Sequence, residues 1–315
     1  MAHETGSATD PIDLLDKLRL FCIAQSLTVN EFRDEGVAPG KLLSVSFNGG
    51  FFSIGFVVNA TTGFEGYVLT QASGFNASTA WGSQPNETSP TTSQKVVCFG
   101  ILNGAAISDY HFAFFTGGVV MVSLNTVAGS WRHFCFGDIE KYGTYTGGAI
   151  ILGHFIEFNA GLDNPFSADN VPFGYMPSSI ATQQRGGFVR VDDISGIKFR
   201  KMATTGLVSA SIRMSSNQTI LEASRNRIHN TSPSTPTQAS SLHPIAFAVP
   251  IADGSAKFSP IGVLRDVRFC NIQLLDNEQV FDTDWLAFSQ GVKNNPDARP
   301  GTENTGFLGI TVKVL

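Results

Sequence analysis

Near its N-terminus the chain carries one helical rhythm, and beyond it a pleated one. Leu14, Leu15, Leu18, Phe21 and Cys22 recur at three- and four-residue spacing and make a single apolar stripe. Asp10 stands where a capping side chain is wanted, Pro11 at the first helical position and Asp13 in the first turn. The spacing predicts a helix over 11–25. Its stripe needs a cover, either the strands that follow or a neighbouring subunit.

After the helix the apolar positions alternate or run in short blocks, which reads as β-structure. Strands are expected at 26–32, 41–47, 51–59 and 65–71, with Asn48-Gly49-Gly50 supplying a hairpin turn that tolerates positive φ. Residues 72–94 form a long polar loop holding Trp81, Pro85 and Pro90; loops of that length are usually functional or held by a partner. Segments 110–115, 119–124 and 131–136 are joined by connections short enough for an antiparallel meander. In 131–136, Trp131, His133 and Cys135 alternate with Arg132, Phe134 and Phe136. Both faces are partly apolar, as in a strand buried between two layers.

Further strands are expected at 149–158, 188–191, 197–202, 207–214, 245–249, 261–270, 280–288 and 307–314. Residues 159–187 read as irregular connection, 215–242 as an exposed loop or arm around Asn230–Pro236, and 291–306 as a polar loop. The expected fold is therefore mainly β: an antiparallel β-sandwich or barrel-like sheets with one N-terminal α-helix and long loops. Two regions are expected, 1–158 with the helix and an antiparallel β domain, and 159–315 with the 215–242 arm. One continuous domain is the alternative.

Composition narrows the function classes. Charged residues are only 15% of the 315 and hydrophobic ones 42%, the reverse of a disordered chain. The net charge of −5 is no footprint for nucleic acid, so no nucleic-acid partner is expected. With 26 Phe, 32 Gly and so few charges, much of the surface is expected to be covered by other subunits; a large core with Ser, Thr and Asn on its surface is the alternative. The N-terminus has no apolar signal core, and no run approaches a membrane span, so no membrane insertion is expected. Cys22, Cys98, Cys135 and Cys270 form no CxxC pair and sit among apolar residues, as reduced buried thiols do. Five Asn-x-Ser/Thr triplets, at Asn59, Asn76, Asn86, Asn217 and Asn230, follow from an Asn-, Ser- and Thr-rich chain.

The chemistry-bearing patterns are sparse. Phosphate loops, dinucleotide fingerprints, nucleophile elbows and zinc-protease helices are absent from the sequence. His133 and Cys135 share a strand face, which suits a thiol–imidazole pair, but a core strand explains them better. Asp192 and Asp193 would point to opposite faces. Asp282 and Asp284, with Glu278 nearby, are the one group that suits a divalent cation, and solvated turn residues are the simpler reading. Trp81, Trp131 and Trp285 are candidate sugar platforms, with only Trp81 in an evident loop. No catalytic, cofactor-binding or metal residue is assigned, no cofactor is expected, and the chain is read as a non-enzyme.

One block resembles a known family. Trp131, His133, Phe136, Gly137, Ile139, Lys141, Gly143, Tyr145, Gly147 and Gly148 fall at the spacing found in virion structural proteins of tailed double-stranded DNA bacteriophages, after a Phe-rich strand at 110–117. The Leu-rich helix, Trp81 with Gln84-Pro85, Trp285–Phe288 and Gly306–Gly309 fit the same pattern. The likeness spans most of the chain, but only 110–148 is specific, and 160–260 adds nothing. It implies a subunit of the tail, baseplate or neck that assembles in the bacterial host cytoplasm, joins the virion, and has copies of itself and neighbouring virion proteins as partners. An edge strand or the 215–242 arm is expected to reach a neighbour by strand addition. The alternatives are a receptor- or carbohydrate-binding module at Trp81 and, more weakly, a cell-wall hydrolase at Asp282 and Asp284.

Overall fold

The computed structural model describes residues 1–35, 40–59, 64–88, 96–99, 101, 103–126, 130–155, 171–172, 187–193, 196–201, 203–204, 242–250, 258–272, 275–281, 283–289 and 308–314. The chain opens with β1 (Ala2–Ala8) and α1 (Pro11–Ala24). Then come β2 (Thr28–Asp34), β3 (Lys41–Phe47), β4 (Gly50–Asn59), β5 (Phe64–Ala72) and β6 (Val96–Phe99). The meander is β7 (Ile107–Phe114), β8 (Val119–Thr126) and β9 (Ser130–Asp138), followed by β10 (Glu140–Lys141), β11 (Thr146–Leu152) and β12 (His154–Phe155). Beyond it lie β13 (Val171–Pro172), β14 (Gly187–Asp193), β15 (Gly196–Lys201) and β16 (Ala203–Thr204). The last strands are β17 (His243–Pro250), β18 (Phe258–Asn271), β19 (Val280–Phe281), β20 (Trp285–Ser289) and β21 (Leu308–Lys313).

These strands make three main antiparallel sheets. The central sheet runs β1-β7-β8-β9-β11-β14-β15. On one side of it stand α1 and a helix-side sheet, β2-β3-β4-β5-β6. On the other stands a C-terminal sheet, β16-β17-β18-β21-β20-β19, with β10 paired to β18. The mainly-β expectation holds, as a stack of open sheets and not a closed barrel.

The central strands explain the stack, because each has two apolar faces. In β9, Phe134 and Phe136 enter the helix-side core, while Trp131 and Cys135 enter the core toward the C-terminal sheet. In β8, Val120, Val122 and Leu124 face one way and Val119 and Met121 the other; in β11, Ala149 and Ile151 oppose Ile150 and Leu152. A sheet built this way exposes apolar surface unless covered twice, and each large side chain removed from water contributes about 1.5–3 kcal/mol. β14 and β15 extend the sheet that the first half of the chain begins.

α1 forms as its stripe predicts. Asp10 accepts hydrogen bonds from Ile12 N and Asp13 N, and Leu14, Leu15, Leu18, Phe21 and Cys22 are buried. The strand expected at 26–32 begins two residues later, because Ser26 takes positive φ at the helix exit. The Asn48-Gly49 turn has both residues at positive φ and closes the Phe47–Gly50 pair.

Two differences from expectation have local causes. β1 precedes the helix although its sequence is polar; its hold on the sheet is mostly backbone pairing to β7. The single strand expected at 280–288 is a hairpin of β19 and β20, broken where Thr283 takes positive φ. The expected strand 207–214 and all of the 215–242 arm but Leu242 lie outside the described residues, as does most of the 159–187 connection.

Candidate functional site

Two buried histidines, His133 and His111, stand in the seam between the central and C-terminal sheets. His133 on β9 is fully buried. Its Nδ1 lies 2.9 Å from Ser123 Oγ on β8 and its Nε2 2.9 Å from the carbonyl oxygen of Ser289 on β20. A carbonyl can only accept, so Nε2 carries the proton and Nδ1 accepts from the serine hydroxyl. The imidazole is thus a neutral strut between two sheets. Burial, with Arg132 and His111 close by, pushes its pKa down to about 4.

Next to it His111, on β7, packs against Trp131 and Phe288, with ring centroids 5.7 and 4.9 Å away. His111 Nε2 lies 2.8 Å from Glu278 Oε1, and Nδ1 lies 3.0 Å from Nε2 of His3 on β1. The carboxylate fixes the tautomers. His111 donates from Nε2 to Glu278, and its bare Nδ1 accepts from His3 Nε2–H. Glu278 sits in a turn at positive φ, and its side chain reaches His111 from there. Burial lowers the pKa of both rings; for His111 the Glu278 carboxylate and Asp109 oppose that shift.

The residues singled out in sequence fall as follows. Cys135 shares the His133 face and lies in the apolar layer, its thiol pushed far up by burial. Cys22, Cys98 and Cys270 are likewise buried and joined in no disulfide. Asp192 grips the Arg190 guanidinium through both oxygens at 2.8 and 2.7 Å; the side chain of Asp193 lies outside the description. Glu278 goes to His111, and Asp284 accepts from Thr283 Oγ1 and pairs with Lys313 at 3.7 Å. Asp282 lies outside the described residues. Among the described residues no cluster of three His, Cys, Asp or Glu could hold a metal ion.

Trp131 is buried in the seam, and Trp285 lies under the Arg268 guanidinium, 5.5 Å from its ring. Trp81 belongs to a second built feature, the 73–88 stretch of the long loop. Gly55 on β4 has no Cβ, and the indole edge occupies that space; a Cβ there would come within 2.3 Å of the ring. Trp81 Nε1 donates to Thr70 Oγ1, which donates to Glu87. Glu87 also accepts from the backbone of Gly82 and Gln84, and Gln84 ties Asn76 to Thr79 through its side-chain amide. Burial raises the Glu87 pKa, and these donors oppose the shift. The loop carries its own hydrogen-bonded interior, as compact surface loops do.

Sequence reasoning assigned no role to His3 or His111, and grouped Glu278 with Asp282 and Asp284 and not with a histidine. His111 and Glu278 are 167 positions apart, and no local spacing announces that they meet. Comparison of the sequence with protein-family models and with curated proteins gives no match.

Proposed function

We propose that this chain is a non-enzymatic structural subunit of a tailed-phage virion, in the tail, baseplate or neck, and that it forms a symmetric homo-oligomer. The observation that carries the reading is how the buried polar groups are used. His133, Ser123 and Ser289 lock the central sheet to the C-terminal sheet, and both imidazole nitrogens are engaged in doing so. A stack of three sheets with few surface charges is a rigid building block suited to packing against copies of itself. The resemblance over 110–148 supports the virion context. In this reading the protein assembles in the host cytoplasm and stays with the particle.

Size-exclusion chromatography with light scattering on the purified chain, followed by negative-stain imaging, tests this. A discrete ring or trimer is the expected result. A monomer at all concentrations, with no co-assembly on tail or neck particles, overturns it.

A receptor- or carbohydrate-binding module is the second reading, and one observation favours it: Trp81 is only half-buried, yet held rigidly by Thr70 and Gly55. Glycan-array binding that Trp81→Ala abolishes, with the fold intact, would put this reading first.

A further inference from the structure

We propose that β1 is an exchangeable strand, and that the β7 edge it covers is a docking site for the β1 strand of a second copy of this chain. The idea deepens the self-assembly reading above and rests on it for its biological setting.

The first argument is the weakness of the apolar hold on β1. Among its residues only Ala8 is buried; Ala2 and Gly6 are half-buried, and His3, Glu4, Thr5 and Ser7 are exposed. The strand beneath is the opposite, with Tyr110, His111, Phe112 and Ala113 all buried. Detaching β1 therefore costs little burial of its own while uncovering a strand edge that needs a partner. The pairing runs from Ala2–Phe114 to Gly6–Tyr110, with a register shift before Ala8–Ile107.

The second is the joint. Only Thr9 and Asp10 separate β1 from α1, and the helix has its own anchors in its buried apolar side chains and in the Tyr67 hydroxyl bonded to Pro11 O. The strand can swing while the helix stays docked. The third is complementarity. A β1 strand from a second copy would meet on β7 the same partners it has in its own chain, so no new surface has to be evolved.

The side-chain contacts that staple β1 are polar: His3 to His111, which is itself held by Glu278, on one face, and the Tyr110 hydroxyl to Glu4 at 3.1 Å on the other. The groups facing the two rings are Glu278 from the turn before β19, Asp109 on β7 and His133 on β9. Asp13 of α1 and Glu4 act on Tyr110 across the strand. The staple tolerates one proton, because the tautomers can shift; with two, N–H faces N–H between like charges. Burial against β7 and the neighbouring His111 lower the pKa of docked His3, so the staple is at full strength above the ordinary histidine range and weakens as pH falls through it. Acid therefore promotes exchange.

The test uses two full-length chains, one carrying Ala2→Cys and the other Phe114→Cys. These positions are directly paired in β1 and β7 and leave the histidines untouched. The four native cysteines are buried. The chains are mixed at about pH 7.5 and at about pH 5, either side of the histidine range, returned to neutral pH and oxidised. A disulfide-linked dimer joining the two different chains is expected, increased by about tenfold after acid treatment, and increased at neutral pH by adding His3→Ala to the first chain. Absence of that dimer under both conditions overturns the proposal. A discrete oligomer by light scattering without the mixed disulfide overturns exchange and leaves self-assembly standing. The mixed disulfide in an otherwise monomeric sample supports exchange and counts against the assembled subunit. Should Phe114→Cys fail to fold, the wild-type chain serves. An acid-treated dimer that survives dilution at neutral pH and dissociates on dilution at about pH 5 supports exchange, and failure to form one overturns it.

Discussion

His133 on β9 donates a hydrogen bond from Nε2 to the carbonyl oxygen of Ser289 on β20, 2.9 Å away, and so joins two sheets through one neutral imidazole. The pKa of about 4 makes this a statement about stability. The folded pKa lies below the unfolded value of about 6.5, so the contribution is full above that value and is lost as pH falls toward 4. The expected loss is on the order of 3 kcal/mol. Urea unfolding followed from neutral pH down to about pH 4 should show it. His133→Leu should cost about 1–3 kcal/mol at neutral pH, by removing the buried hydrogen bonds to Ser123 Oγ and Ser289 O, and should flatten the acid limb. An unchanged acid limb in the variant would remove this role.

A second prediction concerns the close approach of Gly137, near the end of β9, to the turn that joins β7 and β8. Gly137 has φ +143°, and a Cβ there would lie 2.1 Å from Gly118 O and 2.6 Å from Val119 Cα. Both are backbone atoms and cannot rotate away. Gly137→Ala should destabilise by more than about 2 kcal/mol, with strain and clash adding. Gly117, in that turn, has open space at its Cβ and no positive φ. Gly117→Ala should change stability by less than about 0.5 kcal/mol. Thermal melts of the two variants side by side decide it, and equal melting points would refute the contrast.

Much of the architecture was legible because it rests on local pattern. The stripe of α1, the Asn48-Gly49 turn and the two-faced alternation of β9 each state in a few residues what they do in the fold. The two apolar faces of 131–136 already implied a strand buried between layers, and the three-sheet stack realises that. What was not legible is non-local or polar. β1 has no alternation to reveal it, since His3 and Glu4 find His111 and Tyr110 only after more than a hundred positions. The break between β19 and β20 depends on one backbone angle at Thr283. Asp282, Asp284 and Glu278 looked like one acidic group, yet Glu278 turns to His111 and Asp284 to Lys313.

Trp81 and Gly55 form a matched pair whose disturbance should be specific. Gly55→Ala would drive a methyl into the indole at 2.3 Å, and the ring can leave only by giving up its bond to Thr70. The expected outcome is a loosened 73–88 loop on an intact sheet. Limited proteolysis should cut the variant within 73–88 where the parent resists, while far-ultraviolet circular dichroism stays the same. Trp81→Ala should open the same loop. Combined with Gly55→Ala it should add little, because both act on one contact. Full additivity in the double variant would show that the two residues work separately.

The helix start offers the last test, because two independent bonds meet there. Asp10 accepts from Ile12 N and Asp13 N at 2.8 and 2.9 Å, satisfying donors that the first turn leaves open. Asp10→Ala should cost about 0.5–2 kcal/mol. The Tyr67 hydroxyl, from the helix-side sheet, donates to Pro11 O at 2.6 Å in a buried setting that raises its pKa well above the ordinary value. It therefore stays protonated and able to donate over the ordinary working range. Tyr67→Phe keeps the ring and leaves Pro11 O without that donor, for an expected cost of about 1–2 kcal/mol. Because the cap acts on the helix backbone and the hydroxyl on its docking to the sheet, the two costs should add within about 0.5 kcal/mol in the double variant. A coupling well beyond that would mean that capping and docking are one event, and that α1 forms only as it lands on the sheet.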